Sequence, residues 1–129
     1  MRGLADDLPL MSWLQEYIWP AEKKFVSPTF VYEGTVIAIA EMLAGGITTF
    51  NDMYFFPEST AEAAVKMGMR GNLGLVVLEF PTNYAIDADS YIQKGLDARD
   101  QWRDEILISF SLAPHAPYTV EDVTFERIQ

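Results

Sequence analysis

The sequence predicts an α/β fold in which about three parallel strands are flanked by helices. Segments with helical periodicity alternate with short β-branched segments, and the predicted strands begin at residues 47, 71 and 106. Such alternation is typical of βαβ units that build a parallel sheet. The 129 residues make one domain at most, whereas a complete (β/α)₈ barrel needs about 250 residues. We therefore expect either a partial (β/α)₈ barrel (TIM barrel) or a small open sheet, which periodicity does not distinguish.

Two helices are predicted before the first strand. Apolar residues recur at helical spacing over residues 10–18, and Pro20 is expected to end this helix. A second helix is predicted over residues 28–44, with Ser27 as its N-cap and Gly45 directly after its last turn. Because its later turns are apolar on every side, we expect the second helix to be well buried.

Three strands and three further helices follow. The strands are predicted over residues 47–52, 71–78 and 106–112. After the first strand, Ser59 and Glu62 have the spacing of a capping box and open an alanine-rich helix that Gly68 closes. A more polar helix is predicted over residues 87–102, and a last helix from Thr119. No linker-like stretch divides these elements, so residues 1–129 are predicted to be one piece.

Charge and composition disfavour several classes of partner. The net charge of −10, from 19 acidic against 9 basic residues, disfavours nucleic acids and anionic lipid surfaces, which attract basic proteins. No apolar run approaches the roughly 20 residues that span a bilayer. The chain has no cysteine, and its N-terminus lacks the apolar stretch of a secretory signal. We therefore predict a cytoplasmic protein without nucleic-acid or membrane partners.

The candidate functional residues lie just after the strands. In parallel α/β folds the active site forms at the carboxyl ends of the strands. This selects residues 51–57, 79–83 and 113–119, each of which mixes aromatic and polar side chains. Such a mixture suits a pocket for a flat organic ligand.

His115 and Glu22, in or near these segments, could act on a ligand, but each could instead have a purely structural role. His115, the sole histidine, stands between two prolines and could move a proton or hydrogen-bond a ligand. It could equally tie down its loop through a backbone carbonyl, and a single histidine cannot make a metal site. Glu22 follows a helix end in an aromatic stretch, where surface exposure is the simpler expectation.

Other acidic and aromatic residues have structural roles as the first expectation. Asp52 could be a general base, but an acceptor that caps the following turn is favoured. The pair Asp6 and Asp7 is expected in solvent or at a helix cap. Trp13 at helical spacing is more typical of a core residue than of a cofactor site.

Several blocks along the chain closely resemble one enzyme family. The first two are residues 2–14, RGLADDLPLMSWL, and residues 18–22, IWPAE. Further blocks follow in the family order: residues 41–43, 45–46, 48–56, 68–70 and 113–118, the last reading APHAPY. Together they resemble the amidohydrolases that contain the 5′-methylthioadenosine/S-adenosylhomocysteine deaminases and the triazine chlorohydrolases.

The resemblance implies a (β/α)₈ barrel and a zinc ion or another divalent metal that activates water, which displaces ammonia from a purine. The family's metal ligands are an H-x-H motif on the first strand, a histidine on the fifth and an aspartate on the eighth. None of these segments occurs here, so the resemblance makes residues 1–129 a fragment running from after strand 1 to after strand 4. We expect no catalytic residue, no metal ligand and no cofactor on this chain alone, which is then inactive by itself.

The resemblance also assigns substrate-binding roles to three residues. Glu22 resembles the glutamate that holds the ribose hydroxyls, His115 the substrate-contacting histidine, and Trp13 a tryptophan that lines the nucleoside pocket. Where some relatives have arginines for a substrate carboxylate, residues 72–77 read NLGLVV. This departure favours methylthioadenosine, or another purine nucleoside with a neutral tail, over S-adenosylhomocysteine.

Two alternatives stay open at this stage. The chain could be a non-catalytic nucleoside-binding or vestigial fragment, or part of another amidohydrolase such as a guanine or cytosine deaminase or a triazine hydrolase. In each case a partial barrel leaves strand edges unpaired, beside residues 47–52 and 106–112. We therefore expect self-association or association with the rest of the barrel.

Overall fold

The computed structural model describes residues 1–128. One π-helical turn, Trp13–Ile18, joins the first two helices. The helices are α1 Leu10–Ser12, α2 Trp19–Phe25, α3 Pro28–Ala44, α4 Pro57–Met67, α5 Ala88–Trp102 and α6 Asp122–Arg127, and the strands are β1 Thr49–Tyr54, β2 Arg70–Val77 and β3 Ile108–Pro114.

The three strands form one parallel sheet in the order β1-β2-β3. Asn51 of β1 pairs with Asn72 of β2, which pairs with Ser109 of β3. Sequential parallel strands joined by helices are the repeating unit that the alternation predicts. All three carboxyl ends therefore meet at one edge of the sheet.

Two apolar clusters hold the helices on the sheet. One lies toward the carboxyl ends of the strands and includes Phe55, Val77 and the fully buried Tyr91. The other lies toward the opposite end and includes Ile39 and Leu73, which is 1% exposed. Burying side chains of this size stabilises the fold by about 1.5–3 kcal/mol each, so the helical side of the sheet has a genuine core.

Pro20 does not end the first helical run, contrary to the sequence-based expectation. The chain continues as α2 to Phe25, with Pro20 in the first turn of that helix. The preceding π-helical turn makes this possible, since the backbone N–H of Trp19 donates to the carbonyl of Leu14, five residues earlier. A proline in the first turn of a helix sacrifices no hydrogen bond that the helix needs, and the wider turn makes room for its ring.

Helix α3 has the predicted bounds but not the predicted burial. Ser27 caps it by accepting a hydrogen bond from the Phe30 backbone, yet the buried residues of this helix are Val31 and Ile39 alone. Ile37 is 63% exposed, which shows that one apolar side of α3 has no cover within residues 1–128. Within the same range, no helix is long and apolar enough to cross a membrane.

Several element boundaries differ from the predicted ones. Strands β1 and β3 begin two residues later than expected, at Thr49 and Ile108. The predicted capping box is wrong, because Ser59 lies buried inside α4, whose N-cap is Phe56 in a left-handed conformation. The last helix begins at Asp122, because residues 116–120 form a hydrogen-bonded turn before it.

Candidate functional site

One cavity at the carboxyl ends of the strands brings together the three predicted binding residues. Trp13, Glu22 and His115 all line this cavity, whose volume is about 260 Å³. They come from the π-helical turn, from α2 and from the segment after β3. The other lining residues are mostly apolar or aromatic: Leu14, Ile18, Trp19, Met53, Tyr54, Phe55, Val76, Leu78 and Phe80.

Glu22 is the one acidic group that lines this cavity. Its Oε1 accepts a hydrogen bond from the hydroxyl of Tyr54 at 2.9 Å. Burial raises the pKa of the Glu22 carboxyl, and the hydrogen bond from Tyr54 opposes part of that rise. A half-buried carboxylate with a single protein donor keeps free acceptor capacity for a ligand, since each carboxylate can accept about four hydrogen bonds.

His115 is held at the rim of the cavity by the turn that follows β3. Its backbone N–H donates to the carbonyl of Val77, and its Nδ1 lies 2.9 Å from Oγ1 of Thr119. The Thr119 hydroxyl donates its proton to the carbonyl of Ala116, so Oγ1 accepts from Nδ1–H. This tautomer leaves Nε2 as a hydrogen-bond acceptor. The sequence left open that the ring ties down its loop through a backbone carbonyl. In the structure the ring bonds to the Thr119 hydroxyl, which in turn bonds to the carbonyl of Ala116.

Burial lowers the pKa of His115 below its ordinary value of 6.5. The imidazole of His115 then binds a proton more tightly in the unfolded chain than in the folded chain. The contribution of the neutral ring to the free energy of unfolding is therefore complete above about pH 6.5 and is lost as the pH falls. We expect the ring resonances of this sole histidine to titrate below pH 6.5 in the folded chain. The same resonances measured in denaturant serve as the reference, and a folded midpoint at or above that of the denatured chain would contradict the assignment.

Trp13 contributes an apolar surface to the cavity. Its indole N–H is occupied, because Nε1 donates to the carbonyl of Leu4 at 2.9 Å. This bond fixes the ring against residues 1–9 and satisfies the polar edge of the indole. The ring is thus available for packing against a flat ligand, and a hydrogen bond from Nε1 to that ligand would need the bond to Leu4 to break.

The acidic residues considered from sequence lie elsewhere. Asp52 is inside β1, where it lines a separate cavity against α3 with residues such as Val31 and Thr35. Burial raises the pKa of the Asp52 carboxyl, but the side chain does not line the cavity of Glu22 and His115. The expected role as a cap of the turn after the strand is therefore wrong. Asp6 and Asp7 are exposed, as expected.

Tyr54 and Asn83 are the contributors that sequence reasoning missed. Both fall inside the segments selected for lying after strands, but nothing in the sequence pairs either with Glu22. Tyr54 ends β1 and reaches Glu22 across 32 residues of chain. Asn83 lies after β2 and donates to carbonyls at the end of α2. Only the folded arrangement of α2 over the strand ends reveals these contacts.

The chain matches a known protein family. The model of the amidohydrolase family matches residues 1–129. The chain belongs to the amidohydrolase family. An amidohydrolase relative from Saccharophagus degradans, named 5-methylthioadenosine/S-adenosylhomocysteine deaminase, is 52% identical over 127 residues, covering 98% of this chain and 28% of its own length. A relative of the same name from Pyrococcus horikoshii is 42% identical over 124 residues, with 92% and 28% covered. The chain thus spans less than a third of these curated relatives.

Solved amidohydrolase structures share the fold. An adenosine deaminase from Xanthomonas campestris with bound zinc superposes with a TM-score of 0.92 at 51% identity, covering 96% of this chain and 28% of that one. An atrazine chlorohydrolase from Arthrobacter aurescens, at 20% identity and a TM-score of 0.81 with 94% and 32% covered, supports the fold alone. The three parallel strands and their helices are therefore part of an amidohydrolase barrel, which confirms the predicted partial barrel and decides against a small open sheet.

The amidohydrolase residues described here do not fit a metal centre. Within residues 1–128, no three histidine, cysteine, aspartate or glutamate side chains come together in a way that could hold a metal ion. His115 has Nδ1 engaged with Thr119, and Glu22 is held by Tyr54. Three or four ligands are the usual minimum for a zinc site, and the side chains of residues 1–128 do not provide such a set.

Proposed function

We propose that this chain is the nucleoside-holding part of a metal-dependent hydrolase that deaminates adenosine-type nucleosides, methylthioadenosine or S-adenosylhomocysteine, to the inosine form and releases ammonia. The observation that carries the proposal is the convergence of Glu22, His115 and Trp13 on one cavity at the strand ends. The names of the relatives at 52% and 42% identity support the same reaction class.

In this proposal Glu22 reads the ribose. Its Oε1 accepts from Tyr54, which leaves Oε2 and a second lone pair of Oε1 for the two vicinal hydroxyls. Hydrogen bonds to a carboxylate are roughly twice as strong as those between neutral groups. The acidic side chain would also repel a phosphate, so a nucleoside is favoured over a nucleotide.

The aromatic wall and His115 orient the base. Trp13 and Phe80 offer ring surface to a flat purine, and aromatic contacts of this kind are worth about 0.5–1.5 kcal/mol beyond the burial of area. Nε2 of His115 supplies an acceptor in the neutral ring. These residues bind and orient the substrate and exclude water, while the proton transfers and the attacking water belong to groups outside this chain.

The cavity is one wall of a larger site. Its volume of about 260 Å³ lies below the roughly 300–1,000 Å³ typical of small-molecule pockets. We propose that segments outside residues 1–129 complete the pocket, supply the zinc or other divalent metal, and cover the unpaired sheet edges. Without them we expect the isolated chain to associate with itself. A cytoplasmic location stays a prediction.

The tail of the substrate is proposed to be neutral. Strand β2 ends with Val76 and Val77, and Leu78 follows it; all three side chains are buried. None of these side chains can pair with the carboxylate of a homocysteine group, whose transfer out of water without a partner is costly. Methylthioadenosine is therefore favoured over S-adenosylhomocysteine.

The test compares the chain with its full gene product, meaning residues 1–129 together with whatever the gene encodes on either side. We expect the full gene product to bind about one metal ion and to deaminate adenosine and methylthioadenosine, and the chain alone to do neither. A full gene product that binds nucleosides but does not turn them over would favour a binding protein. Turnover of guanine, cytosine or a triazine in place of adenosine would assign a different amidohydrolase.

A further inference from the structure

The carboxylate of Glu22 is fixed by a residue from another element. Tyr54, the last residue of β1, donates its hydroxyl to Oε1 at 2.9 Å. The Tyr54 ring is half-buried and packs against Phe55 with ring centroids 5.1 Å apart. Because the tyrosine is held by its packing, its hydroxyl is a fixed donor for the carboxylate of Glu22.

The backbone that carries Glu22 is fixed by a second residue. Asn83, in the segment after β2, places Nδ2 at 3.3, 3.0 and 2.9 Å from the carbonyl oxygens of Glu22, Lys23 and Val26. The carbonyl of Glu22 also accepts from the Val26 backbone N–H, but the last carbonyls of a helix lack partners inside that helix, and α2 ends at Phe25. The amide of Asn83 therefore acts as a side-chain cap that sets where α2 ends over the sheet.

The segment that carries Asn83 is itself well anchored. The Thr82 backbone N–H donates to the carbonyl of Ala85 at 2.8 Å, and Oγ1 of Thr82 lies 2.6 Å from the hydroxyl of the fully buried Tyr91 on α5. Asn83 thus links the end of α2 to the anchored connection between β2 and α5. The side chain of Glu22 is therefore held from β1, and its backbone from the segment after β2.

We propose that Tyr54 and Asn83 are positioning residues that hold Glu22 in the geometry required for binding the ribose hydroxyls. The inference rests on the proposed function in one respect, namely that Glu22 contacts the ligand. Groups held in place before binding lose less conformational freedom when the ligand arrives, which increases affinity. With Oε1 engaged by Tyr54, the remaining lone pairs face a defined direction.

The matched test uses Tyr54→Phe and Tyr84→Phe in the full gene product. Both tyrosines contact Phe55, but the buried hydroxyl of Tyr84 has no hydrogen-bond partner within residues 1–128. We expect Tyr54→Phe to raise KM for adenosine about tenfold, the size of one hydrogen bond to a charged group, with kcat nearly unchanged. Tyr84→Phe should leave both constants within about twofold.

The substrate separates positioning from general damage. With 2′,3′-dideoxyadenosine, which lacks the hydroxyls that Glu22 would bind, Tyr54→Phe and Asn83→Ala should change KM by less than about twofold. In a Glu22→Ala background, Tyr54→Phe should likewise add nothing. If Tyr54→Phe weakens adenosine and dideoxyadenosine equally, or behaves like Tyr84→Phe, the positioning role is overturned.

A titration of Glu22 tests the positioning role of Tyr54 even if the full gene product does not deaminate adenosine. The hydrogen bond from Tyr54 stabilises the carboxylate form of Glu22, so its removal should raise the pKa of that carboxyl. Carbon NMR of labelled glutamate, assigned with Glu22→Gln, measures the pKa in the full gene product and its Tyr54→Phe variant. An unchanged pKa would overturn the positioning role, whereas absent turnover in the unmodified protein would overturn only the proposed function.

Discussion

The Glu22→Gln variant of the full gene product is expected to lose about two orders of magnitude in kcat/KM for adenosine. The amide keeps an oxygen that can accept from Tyr54, but its nitrogen donates where the carboxylate accepted. In the proposed site, the two ribose hydroxyls then lose their charged acceptor. Hydrogen bonds to charged groups contribute about 1.5–3 kcal/mol each, and about 1.4 kcal/mol corresponds to tenfold.

The control for Glu22 is Glu16→Gln, on the exposed side of the π-helical turn. It removes the same charge without touching the cavity and should change kcat/KM by less than about twofold.

Because burial raises the pKa of Glu22, its carboxylate takes up a proton at a higher pH than that of an ordinary glutamate, whose pKa is 4.5. Adenosine binding by the unmodified protein should therefore begin to weaken at a higher pH as the pH falls. If Glu22→Gln lowers kcat/KM for 2′,3′-dideoxyadenosine as much as for adenosine, Glu22 does not bind the ribose hydroxyls.

The Gly74→Ala variant is expected to be destabilised by about 1–3 kcal/mol, the usual cost of overpacking. A Cβ at Gly74 would stand 2.9 Å from Cβ of Ala113, 2.9 Å from the backbone oxygen of Asp52 and 3.3 Å from Cβ of Met53. Gly74 lies in the middle strand, flanked by both neighbours. A backbone oxygen cannot turn away as a flexible side chain can, so the strands themselves must shift.

The matched control is Gly34→Ala on α3, where an added Cβ meets nothing within 4 Å. Alanine in place of a helical glycine should stabilise by about 0.5–1 kcal/mol. Urea unfolding of both variants of the full gene product gives the two free-energy changes directly. Equal or higher stability of Gly74→Ala would mean that β1, β2 and β3 are not packed as closely as the distances imply.

Local sequence signals predicted the elements whose ends depend on neighbouring residues alone. Ser27 caps α3, and Gly68 closes α4 at φ +70°. Each of these acts within three or four positions of its own backbone. Cap and turn chemistry of this range is visible in the sequence, as is the alternation that predicted the parallel sheet.

The failed predictions depend on features that the local sequence patterns do not show. Whether α3 is buried depends on what packs on Ile37, which is exposed here. Ser59 has the local pattern of a cap, but Phe56 begins the helix, and Ser59 is buried instead. Pro20 would end an ordinary α-helix, whereas the wider π-helical turn before it leaves room for the proline ring. Local propensity is overridden in each case by the surrounding fold.

By itself, the sequence determined the α/β class, the order of the elements and, through resemblance, the candidates Trp13, Glu22 and His115. Only the tertiary structure placed them on one cavity and tied Glu22 to Tyr54 and Asn83, which lie 32 and 61 residues further along the chain. Hydrogen bonds at such separations follow from the register of parallel strands and from the seating of α2 over their ends. No local pattern encodes them, because each partner is satisfied only after the sheet has formed.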